Sequence, residues 1–563
     1  MSAMRMLLAG GNAFDAAAAA TFTAAVVEPT ASYSLAAESV FLMHHAATGR
    51  VRVLSGQGTA PGGQTVDLFR GLGLSKIPTG PDARGELSFT VPGVVDASIA
   101  LLETYGTKTA GDVIAPAIDY AQHGFPMYQY MRGALQSIET LEQFRRYPPG
   151  GMGIFYDEDE SAIKVGQVVL QKGLAATFGK MVEAESSAPG HRLSGLQAAR
   201  DAFYRGEIAR NIVDCSRRVG GVLSLDDLAG YRAAFEEPVK TSFRGLEVCA
   251  QSTWTQGPVL LQALNLLEPF DLRAMGHNSP QYIHTVTEAI KLAFADRERF
   301  YGDPDFAQVP IDGLLSKEYA ASRRPLIAPD GAHPGLPPSG DPWKYSATAP
   351  SARGKEVPAV PATGDGGGGE AGTTHFTVID RDGNMVCATP SGGAFVKSVF
   401  FPELGCALST RSEMFFVDPD HPNGVEPGKR PRTTLVNYIV CKNGQPVMTL
   451  GCPGGDNQAQ ANLQLLLNVV VFGMDAQQAV EAPRFSSQSV TNSFYPRIYL
   501  PGQLNVEPGV PEGTRSRLRE MGHKVVPIAS ESGIGAIVSQ RDPETGVMCA
   551  GADPRRPTYA VAW

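Results

Sequence analysis

Residues 327–372 of this 563-residue chain are dominated by Pro, Gly, Ser and Ala and carry neither a helical nor a strand period. The stretch closes on Gly366-Gly367-Gly368-Gly369 and stops at Thr373-Thr374-His375-Phe376-Thr377-Val378-Ile379, where the alternation of a strand begins. A structureless run of about 45 residues is rare inside a compact domain and is usually functional or disordered. Its place immediately before Thr373 favours function. If the peptide bond before Thr373 is cut, a threonine with a free α-amine heads a strand, and the rest of the chain has to be read against that junction.

Before the junction the pattern is mainly helical. Asn12 leads into the small-residue helix Ala13–Val27, ended by Glu28-Pro29. Strands are expected at 39–44 and 51–54. Helices are expected at Val94–Tyr105, at 113–122 with Gly124 as C-cap, and at 281–299. After the junction the pattern is β. A hairpin turns at Asp382-Gly383, strands at 436–441 and 446–450 follow, and the turn Gly451-Cys452-Pro453-Gly454-Gly455 opens a helix over 458–473. A last hairpin pairs 536–538 with 547–549.

Composition narrows the partners. With 48 basic and 57 acidic side chains the formal charge is −9 and no basic stripe is visible, which argues against nucleic acid. Seven scattered cysteines form no CxxC pair and the ten histidines show no HExxH spacing, so neither a disulfide framework nor a zinc site is expected. The N-terminus lacks the apolar run of a signal peptide, and Asp15–Val27 is too short to span a bilayer. A cytoplasmic protein without membrane partners is expected, or a periplasmic or secreted one if the true start lies upstream.

Three segments carry chemistry. A threonine hydroxyl is a weak nucleophile that needs a base. In N-terminal nucleophile hydrolases that base is the residue's own α-amine, which titrates near ~8. Cleavage by attack of the same hydroxyl on the preceding carbonyl requires a small residue there, here Gly372. The same segment alone also fits a Gly-rich linker ahead of a Thr-Thr edge strand. Second, the N–H groups of Gly454 and Gly455 at a helix start form an anion-binding concavity that could serve as an oxyanion hole, or be an unliganded turn. Third, Thr433 and Thr434 follow the cations Lys429, Arg430 and Arg432. They could hold an anionic substrate or belong to a solvated charged loop.

These elements, in this order, resemble the γ-glutamyltransferase (γ-glutamyltranspeptidase) superfamily over nearly the whole chain. Gly10-Gly11-Asn12-Ala13-Phe14-Asp15-Ala16-Ala17 is similar to its N-terminal signature. Val91-Pro92-Gly93, Thr373-Thr374-His375-Phe376, Lys429-Arg430-Pro431, Pro453-Gly454-Gly455 and Gly551-Ala552-Asp553-Pro554-Arg555-Arg556 also match. The resemblance implies an α+β fold, the four-layer αββα sandwich of the N-terminal nucleophile hydrolases. It implies a precursor cut between Gly372 and Thr373 into a large subunit (1–372, with a flexible pre-cleavage segment over 327–372) and a small catalytic subunit (373–563) that stay together. Thr373 would be the nucleophile, Ser391 its supporting hydroxyl, and Gly454 and Gly455 the oxyanion pair. Thr433 and Thr434 would touch the substrate. No metal or cofactor is implied.

The departures cluster in the substrate pocket. Gln57, in Gln57-Gly58-Thr59-Ala60-Pro61, stands where the family has a carboxylate-binding Arg, and Gln cannot supply a charged fork. An alignment anchored on Gly405 with one residue deleted places Gly393, Arg411 and Met414 at the family's Asn, Gln/Glu and Asp. The ammonium partner is lost and a cation is gained. The expected substrate is a small amide whose acyl group carries a carboxylate but no α-ammonium, oxamate-like or a dicarboxylic monoamide, read by Arg411 or Arg432. A γ-glutamyl hydrolase or transferase proper, a β-lactam (cephalosporin) acylase and an inactive scaffold are the alternatives.

Overall fold

The computed structural model describes residues 1–80, 84–146, 151–347, 372–393, 395, 397–530 and 533–562. The Gly366–Gly369 run lies outside them. Two antiparallel sheets organise the molecule. The first runs Ala234–Glu236, Arg50–Gly56, Glu38–His45, Met385–Ser391, Phe376–Ile379 in spatial order. The second runs Met548–Ala552, Ile537–Arg541, Gln445–Gly451, Tyr438–Lys442, Leu246–Ala250, Val239–Phe243.

The alternation of one strand shows how the layers stack. Along Glu38–His45, Phe41 and Met43 pack with Phe14, Ala17, Val94 and Val113 of the helices Ala13–Val27, Val94–Tyr105 and Ala110–His123. Val40 and Leu42 point the other way and meet Cys249, Leu435, Ile439 and Cys441 of the second sheet and its approach. The outer face of that sheet (Val248, Val440, Leu450) packs on the helices Gly257–Leu267, Pro280–Phe300 and Asn457–Val470. The order is helix, sheet, sheet, helix, which is the αββα sandwich expected.

Local chemistry explains the elements. Asn12 accepts from the N–H groups of Phe14 and Asp15, and Asp15 accepts from Asn12, a reciprocal cap that starts the first long helix. Its Ala16–Ala19 run is fully buried, so small side chains let neighbours approach closely. The third helix starts at Ala110, earlier than periodicity suggests, because Thr109 and Asp112 form the same kind of cap. Helices at Lys172–Ser187, Arg192–Tyr204 and Glu207–Val219, not anticipated from the sequence, thicken the first helical layer.

The parts before and after Thr373 share both sheets. Glu38–His45 pairs with Met385–Ser391, and Leu246–Ala250 pairs with Tyr438–Lys442. Residues 327–347 are irregular, as expected, apart from a turn at Pro342–Tyr345, but they are pinned to the long helix. Ala328 O lies 2.7 Å from His284 Nε2, His333 O accepts from Lys291 at 2.7 Å, and Gly340 N–H donates to Asp296 at 3.0 Å. His284, Glu288 and His523 bring ligand atoms within 4.8 Å of one another in that region. Most of their polar atoms are engaged, and His523 Nδ1 has no partner among the described residues. His284 and His523 face each other at 2.9 Å, and Glu288 accepts from Lys291 and the His333 N–H. Among the described residues no helix is long and apolar enough to cross a membrane.

Candidate active site

Strand register assembles the first half of the site. Phe376 pairs with Ala388, and the Thr374 N–H donates to Pro390 O at 3.2 Å, so Thr373 lies opposite Ser391. Ser391 pairs with Glu38, and Ser39 pairs with Gly56, which brings Gln57 beside Glu38. Neighbours across a sheet share a face. Thr373, Ser391, Glu38 and Gln57 therefore form one row on the inter-sheet side of the first sheet, and each is at most 1% exposed.

Within the row Thr373 Oγ1 is 3.2 Å from Ser391 Oγ, and Ser391 Oγ is 3.5 Å from the Gly372 carbonyl oxygen. Gly372 has no room for a side chain: a Cβ there would lie 2.8 Å from Ala31 Cα and 2.9 Å from Thr30 O. Arg556 donates to the Thr373 carbonyl at 2.5 Å and lies over the Tyr130 ring. One step deeper, His375 Nδ1 is 2.9 Å from Thr389 Oγ1, which donates to Asn437 Oδ1 at 2.7 Å. Burial lowers the His375 imidazole to about 3, so it is neutral. The ring fills the space at Gly451, where a Cβ would meet His375 Cε1 at 1.9 Å.

The second sheet supplies the other half. Gln445–Gly451 runs out into Gly454 (φ +120°) and Gly455 (φ +54°), conformations that suit glycine. Their carbonyls accept from Asn457 and Gln458 at the helix start, and neither N–H has a partner among the described residues. Gln256 Nε2 donates to both Thr434 O and Gly455 O at 2.8 Å, tying the two predicted segments together. Behind the turn Asp456 accepts from Arg297 and from the N–H and hydroxyl of Ser493. Thr433 is held through its N–H to Trp254 O at 2.8 Å, and the buried Thr434 hydroxyl has no partner among the described residues.

Two cations of the third segment, Arg430 and Arg432, sit in ion pairs away from solvent. Arg430 bonds Asp303 and Glu236 and stacks on Trp254 at 4.9 Å. Arg432 bonds Glu298 and the Arg297 carbonyl. Burial pushes the Glu298 carboxyl up, but the Arg432 and Arg297 charges outweigh it and hold the group at about 2. Both guanidiniums are thus committed to internal carboxylates.

Arg411 differs. It is 1% exposed, its Nε donates to Glu38 at 2.6 Å, and its Nη2 has no partner among the described residues. Glu38 is completed by Ser409 Oγ at 2.7 Å, and burial pushes its carboxyl up despite Arg411. The Arg411 guanidinium lies 5.8 Å from the centroid of Phe494, whose edge is 3.0 Å from where a Cβ on Gly455 would be. Met414 packs on the same ring. Gln57 offers only a 3.4 Å contact from Nε2 to Gly58 O, and its Oε1 has no partner among the described residues.

Glu38 thus links Thr373, Ser391, Gln57 and Arg411, the Phe494 ring links Arg411 to Gly455, and Gln256 links Gly455 to Thr434, whereas Arg432 is held apart by Glu298. The gamma-glutamyltranspeptidase family profile matches residues 2–563. The chain belongs to that family. It is 30% identical over 559 residues to a glutathione hydrolase proenzyme of Bacillus subtilis (strain 168), covering 99% of this chain and 88% of that one. It is 32% identical over 563 residues to the acylase ACY 1 proenzyme of Pseudomonas sp. (strain V22), covering 98% and 90%. Solved structures of a protein named LmbA2991 superpose with a TM-score up to 0.90 at 38% identity, covering 100% of this chain and 96% of that one. The cephalosporin acylase of Bacillus halodurans superposes at 0.82 with 28% identity, covering 100% and 93%. The family member is an enzyme of the N-terminal nucleophile hydrolase type.

Sequence reasoning alone passed over Glu38, Gln256, Asp456 and the role of Arg556. Glu38 carried a faint signal, an acid just ahead of the apolar run Val40-Phe41-Leu42-Met43. Arg556 stood inside a matched motif with no partner to suggest its use.

Proposed function

We propose that the chain is a self-processing N-terminal threonine amidohydrolase acting on a small amide whose acyl group bears a carboxylate and no α-ammonium. Thr373 Oγ1 attacks the Gly372 carbonyl carbon in the precursor, the C–N bond breaks as the acyl group moves to Oγ1 and frees the α-amine, and water hydrolyses that ester to release the Gly372 carboxylate and restore the hydroxyl. The large (1–372) and small (373–563) subunits stay together because they share both sheets. In the mature enzyme the amine takes the Thr373 proton as the hydroxyl attacks the substrate amide. The N–H groups of Gly454 and Gly455 receive the oxyanion, where one donor is worth roughly 3–4 kcal/mol of barrier. The leaving amine takes the proton, and water resolves the acyl-enzyme. Ser391 keeps the Thr373 hydroxyl aimed, and the Thr434 hydroxyl faces the substrate.

Arg411 carries the reading. It is a buried cation whose partner Glu38 pairs with Ser391, its Nη2 has no partner among the described residues, and Met414 stands where the family has an acid. An oxamate-like or dicarboxylic monoamide meets those terms. The similarity to the Pseudomonas acylase and to the cephalosporin acylase structure favours, as a second reading, a bulkier amine leaving group on the same carboxylated acyl chain. The test is a panel of amides on matured enzyme, with and without an α-ammonium on the acyl group. Turnover of γ-glutamyl anilides with no activity on their desamino counterparts would overturn the proposal.

A further inference from the structure

Beside Arg411 lies a second ion pair that the mechanism does not use. Glu413 is 1% exposed, and its Oε2 accepts from Lys397 Nζ at 3.2 Å, Thr79 Oγ1 at 2.7 Å and the Tyr495 N–H at 3.0 Å. Its Oε1 has no partner among the described residues and faces Gly393, two residues beyond Ser391, where a Cβ would lie 3.5 Å from it. The Lys397 ammonium lies 5.0 Å from the centroid of Phe494, the ring that also carries the Arg411 guanidinium and edges Gly455. One aromatic wall next to the glycine turn thus presents two cations, each tied to one carboxylate.

The consequence is a charge argument. Glu413 is the acid next in sequence to Met414, and alone it would draw a substrate ammonium into the pocket. Lys397 already occupies it. An incoming α-ammonium would have to share Glu413 with a fixed like charge in a poorly solvated space, where such repulsion is strong. A carboxylate reaching Arg411 meets no such obstacle. We propose that Lys397 stands in for a substrate α-ammonium, so that the chain's own amine excludes α-amino acyl groups and sets its specificity. This rests on the reading that Arg411 takes the acyl carboxylate.

The test compares matured wild type with Lys397→Met and Lys397→Gln on two anilides that differ only in the α-ammonium, γ-glutamyl and glutaryl. The wild type is expected to favour the glutaryl anilide. Removing the ammonium is expected to raise the γ-glutamyl to glutaryl ratio of kcat/KM by about tenfold or more, chiefly through KM. An unchanged ratio, including an equal loss on both substrates, overturns the role of Lys397. Failure of both variants to process on a denaturing gel would assign Lys397 to the fold and overturn it too. A wild type that already prefers the γ-glutamyl anilide sinks instead the reading of Arg411.

Discussion

Arg411 and Glu38 form an ion pair of 2.6 Å in which neither side chain is more than 1% exposed. Glu38 is also the cross-strand neighbour of Ser391, whose hydroxyl touches Thr373. The cation proposed to read the acyl group is therefore mounted on the same strand row as the proposed nucleophile. Rigid mounting matters because a misplacement of about 1 Å between anchor and reacting atom can cost about 10²-fold in rate.

That mounting makes Arg411 costly to delete. Arg411→Met leaves Glu38 as a buried acid without its cation, a change of about 3–5 kcal/mol, and lowers both stability and activity. Arg411→Lys keeps the charge and loses the planar fork. It is expected to process normally, with kcat/KM on a carboxylated amide down by about 10- to 100-fold. Steady-state kinetics on matured protein check this, and a Lys variant with wild-type kcat/KM would remove Arg411 from the site.

In the proposed mechanism the attacking group of the processing step is the Thr373 hydroxyl. Dividing 59.7 kDa in the ratio of 372 to 191 residues gives bands of ~40 and ~20 kDa for the wild type on a denaturing gel. Thr373→Ala is expected to stay one band whatever substrate is added, and Thr373→Ser to split. A split Thr373→Ala protein would place the cut or the nucleophile elsewhere.

Gly454 has two reasons to be glycine. Its φ of +120° disfavours a side chain, and a Cβ would meet Ile534 Cδ1 at 2.3 Å. Gly454→Ala is expected to shift the N–H and to lower kcat by roughly 10²–10³, with KM changed much less. If kcat stays within about twofold of wild type, the turn does not bind the oxyanion.

Acid should destabilise the fold early. Burial holds His375 at about 3, and burial with the Arg432 charge holds His421 at about 3. Both are neutral when folded, whereas an unfolded histidine takes up a proton near ~6.5. The unfolded chain therefore binds more protons than the folded one between about 6.5 and about 3. Stability falls through that window by up to ~1.4 kcal/mol per pH unit for each histidine. Glu298, an acid held at about 2, adds stability that is complete above its ordinary 4.5 and lost as pH falls through about 2. The expected Tm is flat from pH 8 to 7 and declines below about 6.5. A Tm unchanged from pH 7 to 5 would contradict the neutral burial of both histidines.

The inter-sheet packing makes its own prediction. Gly451 faces the His375 ring with no spare volume, so Gly451→Ala must displace the ring or part the sheets. A loss of about 1–3 kcal/mol or more is expected, read as a lowered denaturation midpoint. A variant as stable as wild type would mean that the ring can move.

Local chemistry alone placed several features of this protein. The helix Ala13–Val27 follows from its cap and its alanines, and the hairpin closing at Asp382-Gly383 from alternation and turn residues. Thr373 stands out by its position behind a glycine, and Gly454-Gly455 by a strand-to-helix turn. Each depends on neighbours a few residues away, so the sequence carries it openly. The substrate side was decided elsewhere. Arg411 meets Glu38 across 373 positions of sequence, and Gln57 joins the row only through the register of three strands. Arg411 and Arg432 look equivalent as letters, yet packing sets Arg432 against Glu298 and leaves Arg411 with one nitrogen that has no partner among the described residues. Burial and register decide which charges stay available, and they are properties of the assembled sheets rather than of any segment within them.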